Sequence, residues 1–115
     1  MKQRDGARGS RHERGYDARW TRLRDRFLRE NPLCAECLRC NRDQVADVVD
    51  HIQPVRDFPD KRLLKSNLQA LCVACHAGKT AMEQYAREID LLDELPIWVA
   101  DISARPLRFR PSGFR

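Results

Sequence analysis

The chain has 115 residues, of which 42% are hydrophobic and 34% charged, and its formal net charge is +5. This length and composition predict one small globular domain and exclude a low-complexity or multidomain protein. Neither a signal peptide nor an apolar run of transmembrane length is present, so we expect a soluble, intracellular protein that does not enter a membrane.

Positive charge is concentrated at the two ends of the chain. Residues 1–30 carry ten Lys or Arg against five Asp or Glu, and residues 104–115 carry four Arg and no acid. Two interpretations stay open: basic arms that lie along a polyanion such as nucleic acid, or a solvated surface with frayed ends. Residues 1–15 lack apolar periodicity and are predicted to be a disordered basic arm.

A first helix is predicted over residues 17–30. Trp20, Leu23 and Phe27 recur at helical spacing and predict a face that packs on the core. Asp17 is a candidate N-cap, and Asn31-Pro32 is expected to end the helix.

Two short strands and a second helix are predicted farther along the chain. Residues 46–52 and 67–71 have extended character, with a long irregular loop over residues 53–66 between them. A helix is predicted over about residues 73–93. Its expected packing face consists of Ala77, Ala81, Tyr85 and Ile89, and its other face of His76, Lys79, Thr80, Glu83 and Arg87.

The C-terminal region is predicted less definitely. Ile97-Trp98-Val99, after the helix-breaking Pro96, is expected either to add an edge strand or to pack on the core. Residues 105–115 are predicted to be a second loose basic arm.

The five cysteines include two pairs at the C-x2-C spacing that brings two thiolates onto one tetrahedral ion. The pairs are Cys34 with Cys37 and Cys72 with Cys75. Four thiolates leave Zn²⁺ no open position, so the predicted site is structural. Unpaired buried cysteines and an iron–sulfur cluster are the alternatives. Cys40 is left over, either as a competing ligand or as a small apolar residue.

A second group of polar residues has the composition of a hydrolytic site. Neutral imidazole accepts protons near neutral pH, which suits His51 to act as a base. Asp50 and His76 are suited to share one divalent ion and leave room for water and phosphate. Adjacent strand residues point to opposite faces, so we expect the chain to turn at His51. Taken singly, the histidines are also compatible with structural roles, Asn67 with a turn, and His76 with a zinc ligand.

These motifs together resemble the HNH endonuclease family of the ββα-metal (His-Me finger) fold, especially its small phage and prophage members. The resemblance covers about residues 15–85. It implies an α+β fold with a preceding helix and a pair of zinc knuckles. We accordingly predict an HNH domain over residues 16–94, while residues 95–115 are predicted to form a C-terminal extension with a basic tail that lies outside the shared pattern. The matching residues are Val49-Asp50-His51-Ile52-x-Pro54, Asn67-Leu68-Gln69-Ala70-Leu71-Cys72-x2-Cys75-His76, Lys79-Thr80 and Cys34-x2-Cys37.

The resemblance also implies roles for the site residues. His51 is implied to be the general base, Asp50 and His76 to bind a catalytic Mg²⁺, Mn²⁺ or other divalent ion, and Asn67 to restrain the loop. The four cysteines are implied to carry structural zinc. The implied activity is hydrolysis of DNA phosphodiester bonds, by nicking or cleaving, in the cytoplasm of a bacterial or phage-infected cell. Phage members often assist genome packaging beside the terminase and portal.

Two further expectations concern partners. Lys79, Thr80 and Arg87 share a helix face with His76 and are predicted to hold neighbouring DNA phosphates with weak sequence preference. Two rival hypotheses stay open: a zinc-stabilised DNA-binding module without catalysis, and an accessory subunit of a terminase that docks through Ile97-Trp98-Val99.

Overall fold

The structure is a computed structural model that describes the backbone of residues 11–112 and the side chains of residues 17–112. Single 3-10 turns connect several of its elements, and within this range no helix has both the length and the apolar character of a membrane span. The helices are α1 (Arg11–Glu30), α2 (Ala35–Arg39), α3 (Val73–Glu88) and α4 (Leu95–Ala100), and the strands are β1 (Val48–His51) and β2 (Leu68–Leu71).

The two strands form an antiparallel sheet that leads directly into α3, which confirms the predicted α+β fold with a ββα core and a preceding helix. Asp50 pairs with Gln69 and His51 pairs with Leu68, at the end of β1. Residue 67, predicted as the start of the second strand, instead closes a 3-10 turn over Lys65–Asn67.

Helix α1 begins at Arg11, six residues before its predicted start. Asp17 therefore lies inside the helix and is not its N-cap. The predicted disordered arm lies outside the described residues up to position 10, and residues 11–15 belong to α1. The predicted apolar face is confirmed, because Phe27 forms a buried cluster with Leu68 and Ala70 of β2.

Helix α3 ends earlier than predicted and packs through a different face. Asp90 adopts a φ of 61°, and the chain reverses there instead of remaining helical to residue 93. The buried residues are Lys79, Met82 and Ala86. The predicted packing face was wrong: Tyr85 is half-buried, and its other members, Ala77, Ala81 and Ile89, are exposed.

The reversal at Asp90 brings α4 back onto α3. Leu95, Trp98 and Val99 of α4 form one buried cluster with Met82 and Ala86. The segment around Trp98 is therefore a core helix and not an edge strand. Burial of Trp98 and Val99 also removes the predicted docking patch, of which only Ile97 is exposed.

The described part of the C-terminal tail is not a loose basic arm. The Arg105 side chain is 5% exposed and forms a two-pronged ion pair with Glu36 of α2, at 2.7 and 2.8 Å. Burial disfavours the Glu36 carboxylate, but Arg105 and Arg39 outweigh this cost and hold the pKa of Glu36 below its ordinary value. The prediction of a loose arm was therefore wrong for residues 105–112, and residues 113–115 lie outside the described part.

We expect the Arg105→Ala substitution to lower the free energy of unfolding by about 3–5 kcal/mol, because it leaves a largely buried carboxylate short of its main partner. Urea unfolding followed by circular dichroism measures this loss. Arg24→Ala is the matched control, since its ion pair with Asp25 is exposed and is worth at most about 1 kcal/mol. Equal losses in the two variants would contradict a stabilising role for the buried pair.

Candidate active site and metal centres

The first site is a cluster of four cysteines between the N-terminal ends of α2 and α3. The sulfurs of Cys34, Cys37, Cys72 and Cys75 all lie within 4.8 Å of one another, and none forms a disulfide. The Cys37 and Cys75 sulfurs are 3.8 Å apart. A tetrahedral Zn²⁺ with Zn–S bonds of about 2.3 Å requires a sulfur separation of about 3.8 Å. The cluster therefore suits a structural zinc ion.

The electrostatics of the cluster also favour a cation. Burial and the neighbouring sulfurs raise the pKa of the Cys75 thiol far above its ordinary value. Burial also opposes ionisation of Cys34, but hydrogen bonds with the backbone of Cys72 and Cys37 outweigh it and lower the pKa of Cys34. Ionisation is thus easier at Cys34 and harder at Cys75 than at an isolated thiol, and a bound cation would offset the crowded negative charge of four thiolates. Cys40 lies outside the cluster.

The second site is built around Asp50, whose side chain is 5% exposed. Its Oδ2 accepts a hydrogen bond from Gln69 Nε2 at 3.0 Å and lies 3.0 Å from Lys79 Nζ. Its Oδ1 faces His76 Nε2 at 3.8 Å. One carboxylate oxygen is thus held by the protein and the other faces an imidazole nitrogen, a sparse ligand pair that suits a divalent ion with room for water and phosphate.

His51 lines one cavity, of about 210 Å³, together with Asp50 and His76. Its ring stacks on Trp20 of α1, with 4.6 Å between ring centroids and 29° between planes. Its Nε2 lies 2.9 Å from the Arg62 carbonyl oxygen. Because a carbonyl oxygen only accepts, Nε2 carries the proton of the neutral ring and Nδ1 keeps a free electron pair.

Asn67 does not line this cavity but fixes the chain that follows His51. Its amide oxygen accepts from the backbone N–H of Gln53 at 2.8 Å. Its amide nitrogen donates to the carbonyls of Gln53 and Lys61 at 3.0 and 3.3 Å. Its own carbonyl accepts from the N–H of Ile52 at 2.8 Å. These four bonds hold the bend that begins where β1 ends, as predicted for the chain at His51.

The three residues predicted to bind DNA phosphates do not form one surface. Lys79 is 4% exposed, and its ammonium contacts the Asp50 carboxylate, the His51 carbonyl and the Glu83 carboxylate. Arg87 is held by Asp57 through two hydrogen bonds, whereas Thr80 is exposed. Lys79 is therefore directed into the protein, where it joins β1 to α3.

Two side chains of the site were not assigned to it from the sequence. Gln69 donates a hydrogen bond to Asp50. The sequence places Gln69 in the second predicted strand, but its pairing with Asp50 can be recognised only when the strand register is known. Trp20 contacts His51, but the helical periodicity of the sequence indicates only that it faces inward. Both are tertiary contacts between segments far apart in the chain.

The comparisons with known proteins agree with this geometry. The family model described as HNH endonuclease matches residues 34–82. A crystal structure of the HNH endonuclease of the deep-sea thermophilic bacteriophage GVE2, with a manganese ion, is similar with a TM-score of 0.57 and 34% sequence identity. The similarity covers 73% of this chain and 97% of the phage protein. A comparison with curated proteins gave no match. The chain therefore belongs to the HNH endonuclease family.

Proposed function

We propose that the protein is a metal-dependent DNA endonuclease with His51 as its general base. The observation that carries the proposal is the cavity that His51 shares with Asp50 and His76, whose Oδ1 and Nε2 atoms face each other. A proton acceptor next to a divalent-ion ligand pair is what phosphodiester hydrolysis requires. A DNA-binding module without catalysis has no use for this arrangement.

In the proposed reaction, Nδ1 of His51 removes a proton from a water molecule that attacks phosphorus in line with the departing 3′-oxygen. Trp20 and the Arg62 carbonyl hold the imidazole ring, and Asn67 holds the loop that follows it. Asp50 and His76 would hold Mg²⁺ or Mn²⁺, which when bound neutralises charge on the phosphate and on the leaving oxygen. The crystal structure of the phage GVE2 enzyme with manganese supports this choice of ions.

DNA is proposed to reach this site along the exposed side of α1 as well as past Thr80. Arg22, Arg26 and Arg29 are exposed on the helix whose Trp20 contacts His51. Contacts of this kind reach phosphates rather than base edges and give little sequence preference. Arg87 would have to leave Asp57 to contribute, and Lys79 is proposed as an internal support. Assistance to phage genome packaging, implied by the resemblance, finds no support in the contacts of residues 17–112.

The proposed function is tested by plasmid cleavage over a titration of Mn²⁺ or Mg²⁺. We expect metal-dependent nicking by the wild type, and a rise of at least about tenfold in the metal concentration that His76→Ala requires, since even outer-shell changes at metal sites cost this much. Gln84→Ala, an exposed change on the same helix, is the control and should match wild type. DNA binding without cleavage at every metal concentration would favour the DNA-binding module instead.

A further inference from the structure

A continuous chain of hydrogen-bonded side chains leads from the C-terminal segment to Asp50. Arg105 donates to Glu36 through Nη1 and Nη2 at 2.7 and 2.8 Å, and Glu36 Oε1 also accepts from Arg39 Nη1 at 2.7 Å. Arg39 Nη2 donates to Gln69 Oε1 at 2.9 Å, and Gln69 Nε2 donates to Asp50 Oδ2 at 3.0 Å. We call these five residues the Asp50 relay.

The relay determines which way the Gln69 amide points. A guanidinium only donates hydrogen bonds, so the amide oxygen of Gln69 must face Arg39 and its amide nitrogen must face Asp50. A flipped amide would place two donors against each other at Arg39 and two acceptors against each other at Asp50. Gln69 is 6% exposed, so water offers little compensation for such a flip.

The Gln69 amide in turn determines which oxygen of Asp50 is available to a metal ion. Gln69 and Lys79 both hold Oδ2, and the remaining Oδ1 faces His76. A carboxylate ligand without such partners rotates about its last side-chain bond and loses its alignment. Hydrogen bonds to ligands from outside the coordination sphere are worth about 10–100-fold in metal affinity.

The relay begins in a part of the chain that the family model does not reach. The model matches residues 34–82, whereas Arg105 lies 23 positions beyond its end. Arg105 is fixed independently by the carbonyls of Trp98 and Val99, so the end of α4 holds the guanidinium that binds Glu36. The C-terminal segment is thereby connected to the candidate metal site through α2.

We propose that Gln69 is a positioning residue for the metal ligand Asp50 and that Arg39, Glu36 and Arg105 hold it in place. This inference rests on the proposed function, in which Asp50 binds the divalent ion. Gln69 itself contacts neither the ion nor the DNA. Its effect should therefore appear in metal affinity and not in the rate at saturating metal.

The test measures equilibrium Mn²⁺ binding by the paramagnetic resonance signal of the free ion, alongside plasmid cleavage. We expect Gln69→Leu to weaken Mn²⁺ binding by about tenfold and to leave the cleavage rate at saturating Mn²⁺ within about twofold of wild type. Gln69→Asn, which keeps an amide but shortens its reach, should weaken binding similarly if the leucine variant fails to fold. Zinc content confirms that the four-cysteine cluster is intact in each variant.

Two comparisons of Mn²⁺ affinity between variants distinguish a positioning effect of Gln69 from a general loss of stability. Ile102→Val removes a buried methylene from the same C-terminal segment, costs about 0.5–1.5 kcal/mol of stability and should leave Mn²⁺ affinity unchanged. Arg39→Met should weaken Mn²⁺ binding, and the Arg39→Met/Gln69→Leu double variant should bind no more weakly than Gln69→Leu alone, because the relay acts only through Gln69. If the losses of Mn²⁺ affinity add in the double variant, Arg39 does not act through Gln69 and the proposed relay is overturned.

The outcomes distinguish this inference from the proposed function. If wild type and His76→Ala bind Mn²⁺ equally well, Asp50 and His76 are not the metal ligands and both proposals fail. If His76→Ala loses Mn²⁺ binding while Gln69→Leu and Gln69→Asn bind as tightly as wild type, the proposed function stands and the positioning role is overturned.

Discussion

Replacement of His51 by alanine is expected to lower the rate of plasmid cleavage in Mn²⁺ by about 10²–10⁴-fold, the usual contribution of a positioned general base. The free Nδ1 of His51 is the proton acceptor of the proposed reaction, and its geometry depends on Trp20 and the Arg62 carbonyl. Loss of the ring stacking should cost about 0.5–1.5 kcal/mol of stability beyond the buried area, and loss of the hydrogen bond to the Arg62 carbonyl about as much again. The variant should therefore remain folded and retain its zinc.

Single-turnover cleavage at saturating Mn²⁺ measures this loss without interference from metal affinity. Imidazole added to the His51→Ala protein should restore part of the rate, because a free base can occupy the space of the missing ring. Imidazole should not rescue His76→Ala in the same way at saturating Mn²⁺, since the metal site of that variant is then already filled. Cleavage by His51→Ala at the wild-type rate would refute the assignment of the base.

The second large effect is expected on folding. Replacement of Cys72 by serine should leave the protein unfolded, because structural zinc sites contribute about 10–16 kcal/mol in small domains whose total stability is about 5–15 kcal/mol. The four sulfurs join the starts of α2 and α3, and Cys34 and Leu71 are among the few fully buried side chains. Apart from the cysteines, the apolar cluster around these sulfurs contains just Leu71, Ala35 and Val48 among the described residues, so little apolar packing would replace the ion.

The Cys40→Ser variant is the matched control, because it removes a thiol that lies outside the cluster. Circular dichroism and zinc analysis should show a folded, zinc-containing Cys40→Ser protein and an unfolded, zinc-free Cys72→Ser protein. A strong chelator should convert the wild type to an unfolded, zinc-free protein, and added zinc should restore the folded protein. A folded Cys72→Ser protein with normal zinc content would contradict the four-cysteine site.

Much of the candidate site could be predicted from the sequence because its signals are local. Two C-x2-C spacings identify the sulfur ligands without knowledge of the fold. The short strand that contains Asp50 and His51 likewise limits where these side chains point, and the observed end of β1 at His51 agrees with the predicted turn.

The inward face of α3 could not be predicted because hydropathy assigns lysine to solvent. Lys79 is buried where Asp50, Glu83 and the His51 carbonyl surround its ammonium. Glu83 is its neighbour one turn along the helix, but the two partners in β1 are not recognisable until the packing of α3 on the sheet is known. The same reason applies to Arg105, whose partner Glu36 lies 69 positions earlier. The charge pattern of a sequence shows how much charge a segment carries, but it does not show whether a basic residue of that segment forms an ion pair with a carboxylate far away in the sequence.

Cys75 and His76 are consecutive residues of α3, about 100° apart around the helix, so one turn of backbone carries a member of the sulfur cluster and a member of the proposed divalent-ion pair. Under the proposed function the two ions would be thermodynamically linked, because an ion that orders this turn would favour binding of the other by the same factor, in both directions. For the cell, this linkage would make nuclease activity conditional on zinc supply. A newly made chain would acquire the capacity to cut DNA only after it had acquired zinc.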